Sequence, residues 1–288
     1  MISACLLAAA LVFSPEDAKA AFALTDSFVR ECTPRDAGTV RGRFAAMWLL
    51  GKASSLGGNV YRDEFTAAAP GGTKHFVNLY CPFERRKGAP WTVFVSHFDT
   101  KPGTECPGAN DGAATSCLQV QLVKTIFDNR DFDKNVMFVW TDGEECVGEH
   151  YAKDDGFQGS VRAAAMLKEK KYNVDAVYVL DMIADKDLKL SFPKNGSLEL
   201  AKRVVRSAKR CGFKRQQIGR IDQRVLDDHI AFLDAGFEAV DLIDFCYGSK
   251  PGLNDYWHTS EDTVDKLSTN TLHTVGRLVC EILNTESK

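Results

Sequence analysis

The sequence has no apolar run long enough to cross a bilayer: its most apolar stretch, inside residues 1–20, is about ten residues, half of what a spanning helix requires. It has no excess of positive charge either. With a net charge of −3 and a pI near 6.1 it offers no basic face, which excludes nucleic acid as a partner. None of its nine cysteines falls in a CxxC pair, so neither a zinc ribbon nor a dithiol redox motif is present. Repeats and low-complexity tracts are absent, and 288 residues suit one large α/β domain. Histidine is scarce at six, so each one that follows an apolar run stands out.

Residues 1–20 (MISACLLAAALVFSPEDAKA) pair that short apolar run with Ala-Lys-Ala at its end, the pattern of a secretory signal peptide. The expected division is therefore a leader over 1–20 and a single catalytic domain over 21–288, secreted or periplasmic. The alternative is a buried N-terminal helix, because no Lys or Arg precedes the run and Cys5 does not occupy a lipobox position. Removing the leader leaves Cys32, Cys81, Cys106, Cys117, Cys146, Cys211, Cys246 and Cys280. Most read as small buried hydrophobes. Cys106 and Cys146 flank candidate ligand loops and are the expected disulfide, if one forms.

The span from Asp26 to Gly58 reads as one or two amphipathic helices, with Phe44, Met47, Leu49 and Leu50 at helical spacing. Residues 59–66 and 75–82 alternate like strands around Pro70-Gly71-Gly72, which suits an antiparallel edge. Beyond them, strands alternate with helical stretches at 112–128, 160–171, 197–212 and 268–284. This order predicts an α/β fold: a mixed, mostly parallel central sheet with helices on both faces. In such sheets ligands bind at the carboxyl ends of the strands.

The chemistry-bearing residues sit at those ends. His97 and Asp99 follow the apolar run 91–95, Asp111 lies in a glycine-rich loop, Glu144 and Glu145 follow the run 136–140, and Asp181 follows 177–180. His258 stands in a loop before the last helix. Two imidazoles and three carboxylates (His97, Asp111, Glu145, Asp181, His258) suit a pair of zinc ions, which about 3.5–4 Å apart would clamp a water and a scissile carbonyl. His97 and Asp99, two apart on an extended segment, share a face, so Asp99 can fix the tautomer of His97. Asp111 reads equally as a helix N-cap. Glu144 and Glu145 point opposite ways, one toward metal and one toward the reacting proton. Asp227, Asp228 and His229 form either a helix cap or a pocket lining, whereas His75, His150 and His273 read as structural or surface residues.

The ordered series SHFDTK, PGANDGA, TDGEEC, LDMI, DDHIAF and YWHTSEDT resembles the family-28 zinc metallopeptidases, over about residues 24–284. The resemblance implies a zinc-exopeptidase fold of the phosphorylase/hydrolase-like type, with His97, Asp111, Glu145, Asp181 and His258 as ligands and Asp111 bridging. Glu144 is then the general base and Asp99 the orienting carboxylate. On this reading the chain is an aminopeptidase acting on peptides: zinc lowers the pKa of its water toward about 7, Glu144 takes the proton, and Tyr247 or Tyr256 helps hold the carbonyl oxygen. One branch of the fold looks like glutaminyl-peptide cyclotransferase, with one zinc on Asp111, Glu145 and His258, Glu144 as proton shuttle, and Asp227 and Trp257 in the pocket. FTAAAPGGTKHFVNLY and the lack of an added lid domain lean that way; Asp241, where the animal cyclases carry histidine, leans against it. A binding protein without chemistry is the third reading, and the intact Glu144 argues against it.

Overall fold

The computed structural model of the chain describes residues 10–285, so the first nine residues of the expected leader lie outside it. From residue 10 onward the chain is already part of the folded body. Ser14 caps α1 (Pro15–Cys32) through a reciprocal capping box with Asp17, and Pro15 starts the helix where a missing N–H costs nothing. Leu11 and Phe13 are buried, and both backbone groups of Leu11 bond to the side chain of Asn284. The expected boundary at residue 21 falls inside α1.

Next come α2 (Val40–Ser55), the hairpin of β1 (Tyr61–Ala69) and β2 (Gly72–Phe83), β3 (Trp91–His97), α3 (Thr115–Asp128) and β4 (Asn135–Thr141). The chain continues through α4 (Gln158–Glu169), β5 (Val174–Asp181), β6 (Leu190–Pro193), α5 (Leu198–Arg210), β7 (Ile218–Ile221), α6 (His229–Asp234), β8 (Ala239–Ile243) and α7 (Thr269–Thr285). No described helix is long and apolar enough to cross a membrane.

The eight described strands form one sheet in the order β1-β2-β4-β3-β5-β8-β6-β7. Its centre, β4-β3-β5-β8, is parallel, and antiparallel pairings lie to either side, between β2 and β4 and between β8 and β6. The mixed, mostly parallel sheet matches the sequence reading, and the hairpin forms the antiparallel edge with Ala69 opposite Gly72.

Side chains of the central strands alternate between two cores, as the two-residue period of a strand dictates. Phe94, Phe138, Trp140, Tyr178 and Leu180 face the layer of α1, α2, α3, α5 and α7. Val93, Val95, Met137, Val139, Val177 and Val179 face α4 and α6. Strands buried on both faces carry continuous apolar runs. Such a run can end in charge only where the strand leaves the core, and β3, β4, β5 and β8 all leave it at one edge.

Candidate metal centre and the pocket beside it

Two ligand groups meet at that edge and share Asp111. His97, Asp111 and Asp181 form one, and Asp111, Glu145 and His258 the other. His97 Nε2 is 3.0 Å from Asp111 Oδ1 and 3.4 Å from Asp181 Oδ1, while His258 Nε2 is 3.4 Å from Asp111 Oδ2 and 3.1 Å from Glu145 Oε1. Each oxygen of Asp111 thus faces a different imidazole. Zinc bonds of about 2.0–2.2 Å place tetrahedral ligand atoms about 3.3–3.6 Å apart, close to these separations, so this donor set fits the ion. Asp111 Oδ2 and Glu145 Oε2 are buried without a hydrogen-bond partner, which suits oxygens that serve as cation ligands.

The scaffold around these donors is polar and almost fully committed. Asp99 receives the backbone N–H of Glu144 (3.3 Å) and of Glu145 (3.1 Å), and its Oδ1 lies 3.5 Å from His97 Nδ1. Asp99 thus fixes the backbone of both glutamates, while His97 Nδ1 makes no hydrogen bond. Asp262 receives the N–H groups of Asn110 and Asp111 and the hydroxyl of Tyr247. Arg35, fully buried, donates to the carbonyls of Phe98, Pro107, Gly108 and Asp111, closing the loop from the other side. Gly112 follows Asp111 at φ +90°, where a Cβ would lie 3.0 Å from His97 Cε1. The backbone is also held at positive φ at Met182 (45°) and His258 (59°), each at or beside a ligand.

Burial governs the protonation of these groups. It pushes Glu144 well above the usual carboxylate range, and Glu145 up to about 7 with Asp111 adding to the effect. Asp181 is raised for the same reason. Burial also works on Asp111, but His97, His258 and Arg35 outweigh it and hold this carboxylate low. Burial pushes Asp227 and Asp241, both close to His229, well above 3.8; the Asp241 carboxylate adds to the effect at Asp227, and Asp181 and Glu144 add to it at Asp241.

A cavity of about 280 Å³ opens beside these donors. Asp111, Glu144, Glu145, Asp181 and His258 supply its polar side, and Met182, Leu226, Ile243, Phe245 and Trp257 its apolar walls. Asp227 and Tyr151 line it too; His97 does not. Trp257 is 41% exposed and stacks on the His258 ring at 4.0 Å, so it reaches both the ligand and the solvent.

The structure thus brings together His97, Asp99, Asp111, Glu144, Glu145, Asp181, His258, Asp227 and Trp257. Tyr247 is a correction: it is fully buried, bonds to Asp262, and does not line the cavity. Cys106 and Cys146 are a second correction, because all eight described cysteines are free thiols. The Cys146 sulfur packs against Lys101 Nζ (3.0 Å) and donates to the Gly148 carbonyl, whereas the Cys106 sulfur faces Asp262. His75 and His150 are exposed and His273 contacts the Phe13 carbonyl, in keeping with their surface and structural readings. Arg35, Tyr151 and Asp262 were not among the candidates read from sequence.

With this geometry in place, the class is that of a metal-dependent exopeptidase-type fold. Residues 78–283 match Peptidase family M28, and the chain belongs to that family. It is similar to glutaminyl-peptide cyclotransferase-like protein of Bos taurus, 23% identical over 258 residues that cover 80% of this chain and 65% of the relative. It also resembles aminopeptidase YwaD of Bacillus subtilis, 26% identical over 66% of this chain and 40% of that one. The chain thus spans less than two thirds of the length of either relative. Among solved structures, an Acidobacteriales bacterium glutaminyl cyclase superposes with a TM-score of 0.84 at 26% identity, covering 93% of each chain.

Proposed function

We propose that this protein is a zinc-dependent glutaminyl-peptide cyclotransferase, with the ion held by Asp111, Glu145 and His258. The observation that carries the reading is the cavity: it opens on that triad and on Glu144, is walled by Trp257, Leu226 and Phe245, and leaves His97 outside its lining. At about 280 Å³ it has room for one side chain and an α-amine rather than for an extended peptide. The likeness to a glutaminyl cyclase over nearly the whole chain supports the same reading. This reverses the order in which the sequence alone ranks the two activities.

In the reaction the substrate's α-nitrogen attacks its own γ-carboxamide carbon, a C–N bond forms, and ammonia leaves. Zinc, when bound, supplies positive charge to the carbonyl oxygen. Glu144 takes the proton lost by the amine and returns it to the departing nitrogen. Burial raises its proton affinity, which suits a carboxylate that must take the amine's proton and hold it for the leaving nitrogen. The Trp257 indole and its apolar neighbours exclude water, which would otherwise compete. Metal analysis is expected to find one zinc per chain, removed by His258→Ala. Chelation should abolish turnover of Gln-Ala-Ala and zinc should restore it, whereas undiminished turnover after complete chelation contradicts the reading.

The second reading is an aminopeptidase, favoured by one observation: each oxygen of Asp111 faces a separate histidine, the arrangement of a carboxylate shared by two ions. Two zinc ions per chain together with release of free Leu from Leu-Ala-Ala would establish it instead.

A further inference from the structure

The loop after Glu145 carries a side chain for which the ligand set has no use. Tyr151 Oη donates to Glu144 Oε1 at 2.5 Å, the short distance of a hydroxyl bonded to a carboxylate. Its ring is held from two sides. It stacks on Phe157 with centroids 4.1 Å apart, and a Cβ on Gly156 would meet its edge at 2.5 Å. Phe157 sits at φ +61° and its N–H bonds to the Glu144 carbonyl, so the clamp on the ring and the backbone of Glu144 are one unit. The loop is closed on itself by Asp155, which accepts from the N–H groups of Val147 and Gly148, and by buried Lys101, which donates to the carbonyls of Cys146 and Gly148. A loop tied this firmly around one phenol aims that phenol.

We infer that Tyr151 is a positioning residue: by occupying Oε1 of Glu144 it selects one rotamer of a flexible side chain and leaves the other oxygen for the substrate's proton. A carboxylate on two methylenes otherwise samples several rotamers, and proton transfer requires one of them to within a fraction of an ångström. The ring also lines the cavity, so it fixes the glutamate from the same side on which the substrate enters. The inference rests on Glu144 as the proton-handling group, which the cyclase and peptidase readings share.

The test is a double-mutant cycle on zinc-loaded protein with Gln-Ala-Ala as the probe, or Leu-Ala-Ala if that is the peptide turned over. Tyr151→Phe keeps the ring and its stack and removes only the hydroxyl. It should lower kcat by about 10- to 100-fold with KM, zinc content and thermal midpoint unchanged. In a Glu144→Gln background the same change should have no further effect on the residual rate, because the carboxylate it positions is gone. A merely structural tyrosine would instead shift the midpoint or zinc content, or add its loss to that of Glu144→Gln, and either result overturns the inference. Wild-type kcat in Tyr151→Phe beside an inactive Glu144→Gln overturns Tyr151's role alone. An active Glu144→Gln removes the shared reading and this inference together.

Discussion

Asp262 shows how much of this site is built by residues that touch neither metal nor substrate. Its two oxygens hold the N–H groups of Asn110 and Asp111 and the hydroxyl of Tyr247, so they set the angle at which Asp111 meets both histidines. Asp262→Asn keeps the size but replaces one acceptor by a donor aimed at N–H groups. Zinc affinity, measured by competition with a chromogenic chelator, should fall about 10- to 100-fold while the fold survives. Glu144→Gln and Glu145→Gln should separate cleanly. The first should keep its zinc and lose about 10²–10⁴-fold in rate, and the second should lose zinc; exchanged phenotypes would mean that the pair is oriented the other way. His97, Glu144, Glu145 and Asp181 were legible because each ends an apolar run, and Asp111 because it lies in a glycine-rich turn; His258 stood out only in the ordered series of motifs. Asp262, Arg35 and Tyr151 were not, because their roles exist only through contacts made in three dimensions, the first two across more than 70 positions. Tyr247 was misplaced for a related reason: the sequence does not say that its hydroxyl points to Asp262.

At the scale of elements, the strand ends carry most of what the sequence discloses. The runs 91–95, 136–140 and 177–180 became β3, β4 and β5, and their shared polarity follows from the βα alternation that makes the central strands parallel. The first helix was harder to read, since an apolar run followed by small residues is common to a leader and to a helix entry. In the folded chain the segment starts α1 through the Ser14 capping box, with Leu11 and Phe13 buried. Phe13 packs on α7 where Gly276 leaves room for it: a Cβ there would lie 2.3 Å from the ring. Phe13→Ala should therefore cost about 3 kcal/mol or more, read as a lowered midpoint in urea with an unchanged slope. Were residues 1–20 absent from the working protein, the same substitution would leave the midpoint where it was. The turn between β3 and α3 makes the matching point for the site. Gly112 there is required by its positive φ and by the closeness of His97, not by flexibility.

Taken whole, the molecule is a two-sided α/β sheet whose charged edge is the candidate metal centre, and whose described cysteines serve as packing. Cys32, Cys81, Cys106, Cys117, Cys146 and Cys280 are buried, while Cys211 and Cys246 are partly exposed. At mildly alkaline pH the last two should react first with a thiol reagent. The other six should react only on unfolding, with no thiol at positions 32–280 withheld in a disulfide. What the charged edge does to a peptide is tested most directly by one measurement. Equimolar Gln-Ala-Ala and Leu-Ala-Ala are incubated in one tube with zinc-loaded protein and their masses followed. The glutamine peptide is expected to lose one ammonia while the leucine peptide stays intact; free leucine, with the glutamine peptide shortened rather than cyclised, would contradict the assignment.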